Sequence, residues 1–188
     1  MTGKTAIEYK HVITLCKALF SQKTQDYGTA WRVLRLPSIT DQILIKAQRI
    51  RSIQEKGTQK VDDSVKDEFI GIVNYCIIAA IQIKLGGSQK TEIPWKELEP
   101  YYDEAVAQTY SLLENKNHDY AEAWRDMRVS SITDIILMKL LRVKQIENNQ
   151  GKTVVSEGVL SNYQDMINYS VFALILLDEK RGDHAKVD

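Results

Sequence analysis

Between residues 5 and 22, apolar side chains recur in steps of three and four: Tyr9, Val12, Ile13, Cys16, Leu19 and Phe20. That spacing predicts a helix with one buried face. Shifted by 93 positions, the same face returns as Tyr102, Ala105, Val106, Thr109, Leu112 and Leu113. Pro100 is expected in the first turn of this second helix, where a missing N–H costs nothing. A further helix is expected from Ser38 to about Lys56, with a twin from Ser131 to about Asn149. Ser38 with Asp41, and Ser131 with Asp134, resemble capping boxes, and Gly57 and Gly151 suit left-handed C-terminal caps. A third helix, about 62–85 and 157–178, is apolar nearly all round and should be buried on most sides. No segment alternates with a strand period. The pattern predicts an all-α protein, two copies of a three-helix unit plus a short helix, packed about a pseudo-two-fold axis like a fused homodimer.

The repeat is densest between Lys23–Ile50 and Lys116–Val143, where 15 of 28 aligned positions are identical. The shared residues are not only apolar. They include Lys, Asp, Tyr, Trp, two Arg, the Ser-Ile-Thr-Asp run, and a Lys and Arg beyond it. A repeat kept only for packing needs little more than its apolar positions. The expected division is a first repeat over 1–85, a connector over 86–94 and a second repeat over 95–188, together forming one compact domain. Gly86-Gly87-Ser88-Gln89-Lys90 looks like a flexible connector.

Charge narrows the partners. Twenty-five basic residues balance 25 acidic ones, which argues against bulk binding to duplex DNA. Small anionic ligands stay open, since they need only a local pocket. The start of the chain has no apolar stretch of signal-peptide type. The longest apolar run, 70–83, is expected to be too short and too polar to span a bilayer. Cys16 and Cys76 lie in apolar periodic segments and read as reduced core thiols of a cytoplasmic protein. Oligomeric state is left open.

Candidate chemistry falls in three groups. On the third helix, steps of four, four and three align Asp63, Asp67, Gly71 and Asn74 in the first copy. In the second copy they align Glu157, Ser161, Asp165 and Asn168. Stacked carboxylates suit an oxygen-ligated Mg2+ or Mn2+, although acids also favour a helix N-terminus on electrostatic grounds. Asp165 stands apart because it lies mid-helix among apolar residues, where a carboxylate needs a partner. Next, Asp119, Tyr120, Trp124 and Arg125, with Lys116 before them, combine a carboxylate, aromatics for stacking and cations for phosphate. Their first-copy equivalents are Asp26, Tyr27, Trp31, Arg32 and Lys23. A buried Trp and Tyr clamping a short helix would use the same residues. Finally, Lys46 with Arg49, and Lys139 with Arg142, share a helix face. They need either third-helix acids or a bound phosphate. The histidines form no ligand spacing, and no zinc, P-loop, nucleophile-elbow or dinucleotide motif is present.

The ordered set K-x-x-D-Y-G-x-A-W-R, S-x-x-D, K-x-x-R and acids leading to N-Y resembles the nucleotide modification associated domain 1 family, twice, over nearly the whole chain. That family is bacterial and phage-borne, and the resemblance implies a link to nucleotide metabolism or base modification. A weaker likeness is to the MazG-like all-α NTP pyrophosphohydrolases, whose carboxylates hold magnesium against a nucleoside triphosphate. It would imply a metal site from Asp165, Glu157, Asp134 and Asp119. Ligand contacts would come from Lys116, Tyr120, Trp124, Arg125, Lys139, Arg142 and Asn168. The departures are specific: Gly71 replaces one acid in the first copy and Ser161 another in the second. Two readings follow. One is an Mg2+-dependent nucleotide phosphohydrolase, with its chemistry in the second copy or between copies. The other is a non-catalytic helical module that binds a nucleotide or a protein.

Overall fold

The computed structural model describes residues 3–57, 64–86, 88, 90–120, 122–153 and 157–184, without side chains for 116–120 and 180–184. Six long helices account for most of it: α1 (Gly3–Tyr27), α2 (Leu36–Lys56), α3 (Val65–Leu85), α4 (Trp95–Tyr120), α5 (Val129–Asn148) and α6 (Val159–His184). Short 3-10 turns, Ala30–Val33 and Ala123–Asp126, precede α2 and α5. No strand occurs among the described residues. The all-α repeat read from the sequence is therefore the architecture.

The helices stack as three antiparallel pairs. The apolar helices α3 and α6 form the middle, α2 and α5 cover one side, and α1 and α4 cover the other. Each layer holds one helix from each copy, and a single buried cluster draws on both. Neither copy encloses its own core. By length and composition α3 passes the test for a membrane-crossing helix, against the expectation drawn from its apolar run. In the bundle it packs against α1, α2, α4 and α6 instead.

Polar contacts across the copies repeat with the same symmetry. Tyr9 donates to Asn168 Oδ1 at 2.9 Å, and its twin Tyr102 donates to Asn74 Oδ1 at 3.1 Å. The amide nitrogens complete the pattern: Asn74 Nδ2 donates to the Cys16 carbonyl at 3.0 Å, and Asn168 Nδ2 to that of Thr109 at 3.4 Å. Each buried asparagine thus ties the first helix of its own copy to that of the other. On the α2–α5 face, Lys144 reaches Asp41 at 2.6 Å and Arg51 reaches Asp134 at 3.8 Å.

Several helix ends differ from expectation. The N-caps of α2 and α5 are Arg35 and Arg128, with no side-chain cap bond. Ser38 with Asp41, and Ser131 with Asp134, are therefore not capping boxes. Pro37 lies within the first two positions of α2, where its fixed φ starts the helix rather than ending the preceding turn. The capping box sits instead on α3: Ser64 N donates to Asp67 Oδ2 at 2.8 Å, and Asp67 N to Ser64 Oγ at 3.3 Å. Helix α4 begins at Trp95, so Pro100 lies inside it rather than in its first turn. Burial of Leu98 and Tyr102, and the ring of Trp95 6.2 Å from Phe20, hold that early turn in place. Gly57 is the expected left-handed cap of α2, at φ 65°.

The connector is anchored, not loose, where it is described. Arg32 donates to the carbonyls of Ser88 at 2.9 Å and Lys90 at 3.1 Å, and also to Gln82 Oε1. Thr29 Oγ1 donates to the Thr91 carbonyl at 2.7 Å and accepts from Ile93 N at 2.9 Å.

Candidate functional site

A cavity of about 320 Å³ is lined by Tyr101, Leu160, Gln108 and the Lys84–Glu104 ion pair. The largest one described, about 640 Å³, opens in the first copy instead. It lies among the end of α1, the 3-10 turn, α2 and α3. Lys23, Tyr27, Trp31, Lys46, Asp67 and Asn74 all line it, with Gly71, Tyr75 and Ile78 from α3. Candidate residues spread over some 50 positions of sequence thus converge on one hollow of ligand size.

Local structure explains the hollow. Gly28 takes φ 62° after α1, a conformation glycine adopts without strain, and so turns the chain into the segment carrying Trp31. Gly71 leaves a notch in α3, and the Lys46 side chain lies across it. A Cβ at Gly71 would come within 2.8 Å of Lys46 Cε. The ammonium of Lys46 sits 3.1 Å from Glu68 Oε2, and Arg49 pairs with Glu68 Oε1. Glu68 itself is buried, so one carboxylate is shared by two partly exposed cations. The indole Nε1 of Trp31 is buried and has no hydrogen-bond partner.

Glu68 was not among the residues singled out from sequence. Its twin is Asn162, so the repeat gave no signal there, and it sits beside the acid stripe rather than on it. The signal that was present lay on α2: Lys46 and Arg49 required third-helix acids or a phosphate, and Glu68 is that acid. Asp67 keeps its place at the cavity but is engaged in the Ser64 capping box. Hydrogen bonding from Ser64 holds its carboxyl below the ordinary range, against the opposing effect of burial.

The second copy fills the corresponding positions differently. Asp165, the twin of Gly71, meets Lys139 at 2.5 Å, and both side chains are mostly buried. Phe172, the twin of Ile78, stacks on Trp124 with ring centroids 4.2 Å apart and planes 4° from parallel. Lys116, Asp119 and Tyr120 have no described side chains, and Asp63 falls outside the described residues.

Other candidates point elsewhere. Arg125 faces carboxylates rather than a cavity: Glu8 at 2.6 Å, Glu179 at 3.1 Å and Glu122 at 3.2 Å, with its guanidinium 4.5 Å over the Trp124 ring. Arg32 holds the connector. Asn168 and Asn74 spend their amides on the cross-copy bonds. Asp41 and Asp134 are half-exposed partners of Lys144 and Arg51. Asp26, Glu157 and Arg142 are exposed.

Of the carboxylates expected to share a metal, Asp165 is paired with Lys139, Asp134 lies near Arg51 and Glu157 is exposed, while the side chain of Asp119 lies outside the described residues. Asp134 and Lys139, the partner of Asp165, are five residues apart on α5, about 140° around the helix. Among the described residues, no group of three or more His, Cys, Asp or Glu could hold a metal ion. Glu68 is already matched by two cations. As arranged, the described donors do not fit Mg2+ or Mn2+.

These features define a class: a tandem-repeat helical bundle, with a cavity framed in the first copy by Lys23, Tyr27, Trp31 and the third helix. The chain belongs to the family described as Nucleotide modification associated domain 1, whose model matches residues 23–83 and 116–177. Searches of curated proteins and of solved structures gave no match.

Proposed function

We propose that this protein is a nucleotide-binding helical module whose first-copy cavity receives the ligand. The observation that carries this reading is the convergence of Lys23, Tyr27, Trp31 and Lys46 on one 640 Å³ hollow. Exposed Tyr27 and partly buried Trp31 offer aromatic faces for a base. Lys23 and Lys46 supply cations for a phosphate. The family's description supports a nucleotide context. The engagement of Asp67 with Ser64, and of Glu68 with Lys46 and Arg49, favours binding over metal-assisted hydrolysis.

The test is titration of the full chain with nucleosides and nucleotides, following tryptophan fluorescence, alongside Lys46→Gln and Trp31→Phe. Saturable quenching that both variants weaken is expected. Release of phosphate or pyrophosphate that depends on Mg2+ and is lost in Asp165→Asn would replace this reading with the hydrolase.

A further inference from the structure

We infer that the two copies have divided their roles: the first copy takes a nucleoside monophosphate, and the second copy is closed by its own side chains. The inference rests on the nucleotide reading above and makes it specific in ligand class and stoichiometry. Two twin positions carry it. At the first, Gly71 lets Lys46 lie across the notch at the cavity, where it shares the one Glu68 carboxylate with Arg49, whereas Asp165 meets Lys139 at 2.5 Å. At the second, Ile78 leaves the Trp31 side of the cavity open, whereas Phe172 covers Trp124 in a parallel stack. The second copy thus supplies an internal anion and an internal aromatic ring where the first copy leaves a notch and a hollow. Those two groups are the chemistry a nucleotide would bring: a further anion for a lysine that shares Glu68 with Arg49, and a flat ring for the tryptophan.

Charge sets the class of ligand. Around the first-copy cavity, Lys23, Lys46 and Arg49 stand against Asp67 and Glu68. Glu92 lies beside Gly28 at the rim. The surplus is at most one positive charge. A phosphate monoester carries about −1.5 to −2 at neutral pH, which exceeds this surplus by about one to two charges. A triphosphate brings several more negative charges into the reach of Asp67, Glu68 and Glu92, and the donors present do not gather a metal to offset them.

The experiment is isothermal titration calorimetry of the full chain in EDTA, with AMP, dTMP and the matching triphosphates as probes. One site per chain is expected, with a monophosphate bound at least tenfold more tightly than its triphosphate. Ile78→Phe, which copies the second repeat's ring, should weaken binding tenfold or more while the urea midpoint stays near wild type. Gly71→Asp, which copies the anion, should do the same. If Gly71→Asp disturbs folding, Ile78→Phe and Lys46→Gln carry the test. Two equivalent sites per chain, or a triphosphate equal to its monophosphate in EDTA, would overturn this inference while leaving nucleotide binding intact. Full affinity in Ile78→Phe would also overturn it. No heat with any nucleotide would remove the nucleotide reading as well.

Discussion

Replacing Asn168 by alanine should unfold the protein more readily than most single changes, because one amide joins helices from both copies. Tyr9 is 2% exposed, and its hydroxyl donates to Asn168 Oδ1 at 2.9 Å. Asn168→Ala removes that bond, worth about 1 kcal/mol net, and leaves a buried hydroxyl without an acceptor, which costs about 1–3 kcal/mol more. The Asn168 bond to the Thr109 carbonyl is longer, at 3.4 Å, and adds little. The expected loss is therefore about 2–4 kcal/mol, against a total near 5–15 kcal/mol for a typical domain. Urea denaturation followed by circular dichroism reads it directly. With a slope of about 1–3 kcal/mol per molar, the midpoint should fall by roughly 1–2 M. Tyr9→Phe alone should cost less, and the double variant should fall short of the sum by about 1 kcal/mol, since both changes break the same bond. A loss under about 0.5 kcal/mol for Asn168→Ala, or strict additivity of the pair, would refute the cross-copy tie as a source of stability.

Glu147 gives a pH test. Burial raises its carboxyl above the ordinary glutamate range, against the opposing hydrogen bonds from Thr40 and Tyr163. Its contribution is thus fully present below the unfolded-state pKa and is lost as pH rises through the raised folded value. Glu147→Gln should flatten that decline when urea midpoints are compared from pH 4 to pH 8. Arg32→Ala removes three hydrogen bonds from a buried guanidinium and should cost about 2–3 kcal/mol. Limited proteolysis should then cut first between residues 86 and 92, and an unchanged cleavage pattern would deny Arg32 its anchoring role. Burial pushes the Cys16 thiol up to about 12 and also raises that of Cys76. Iodoacetamide should therefore label neither thiol in native buffer and both in urea; rapid native labelling would show the core to be open there.

The fold was legible because two periodicities overlap: helical spacing within each copy and a 93-residue repeat between them. Tyr9 and Tyr102 announced a buried face, and Asn74 and Asn168 announced themselves as polar residues in an apolar helix. Their pairing across copies was not legible, since sequence spacing says nothing about which first helix meets which third helix. The helix starts were misread where side-chain chemistry mimicked a cap: Ser38 and Asp41 have the right spacing, but Pro37 fixes the start earlier. Of the candidate residues, some lie together in the fold and others do not. Lys23, Tyr27, Trp31, Lys46 and Asp67 do converge, but Arg32 and Arg125 turn to the connector and to α1 and α6. Asp165 drew attention as the retained mid-helix acid. The residue that shapes the described cavity is its glycine twin, and an absent side chain leaves no mark in a search for chemical groups. Glu68 escaped because the comparison of copies highlighted only what they share.

The cross-copy contacts have one more consequence. Asn74 meets Tyr102, and Asn168 meets Tyr9; Asp41 meets Lys144, and Asp134 is approached by Arg51. Each repeat therefore carries both the plug and the socket of every such contact. Two identical repeats could join through the same surfaces, but their union would depend on concentration. Within one chain that dependence vanishes. A symmetric dimer must also write every substitution into both sites at once. Here a change at Gly71 leaves Asp165 as it is, so the two halves of the bundle are free to become different from one another without coming apart.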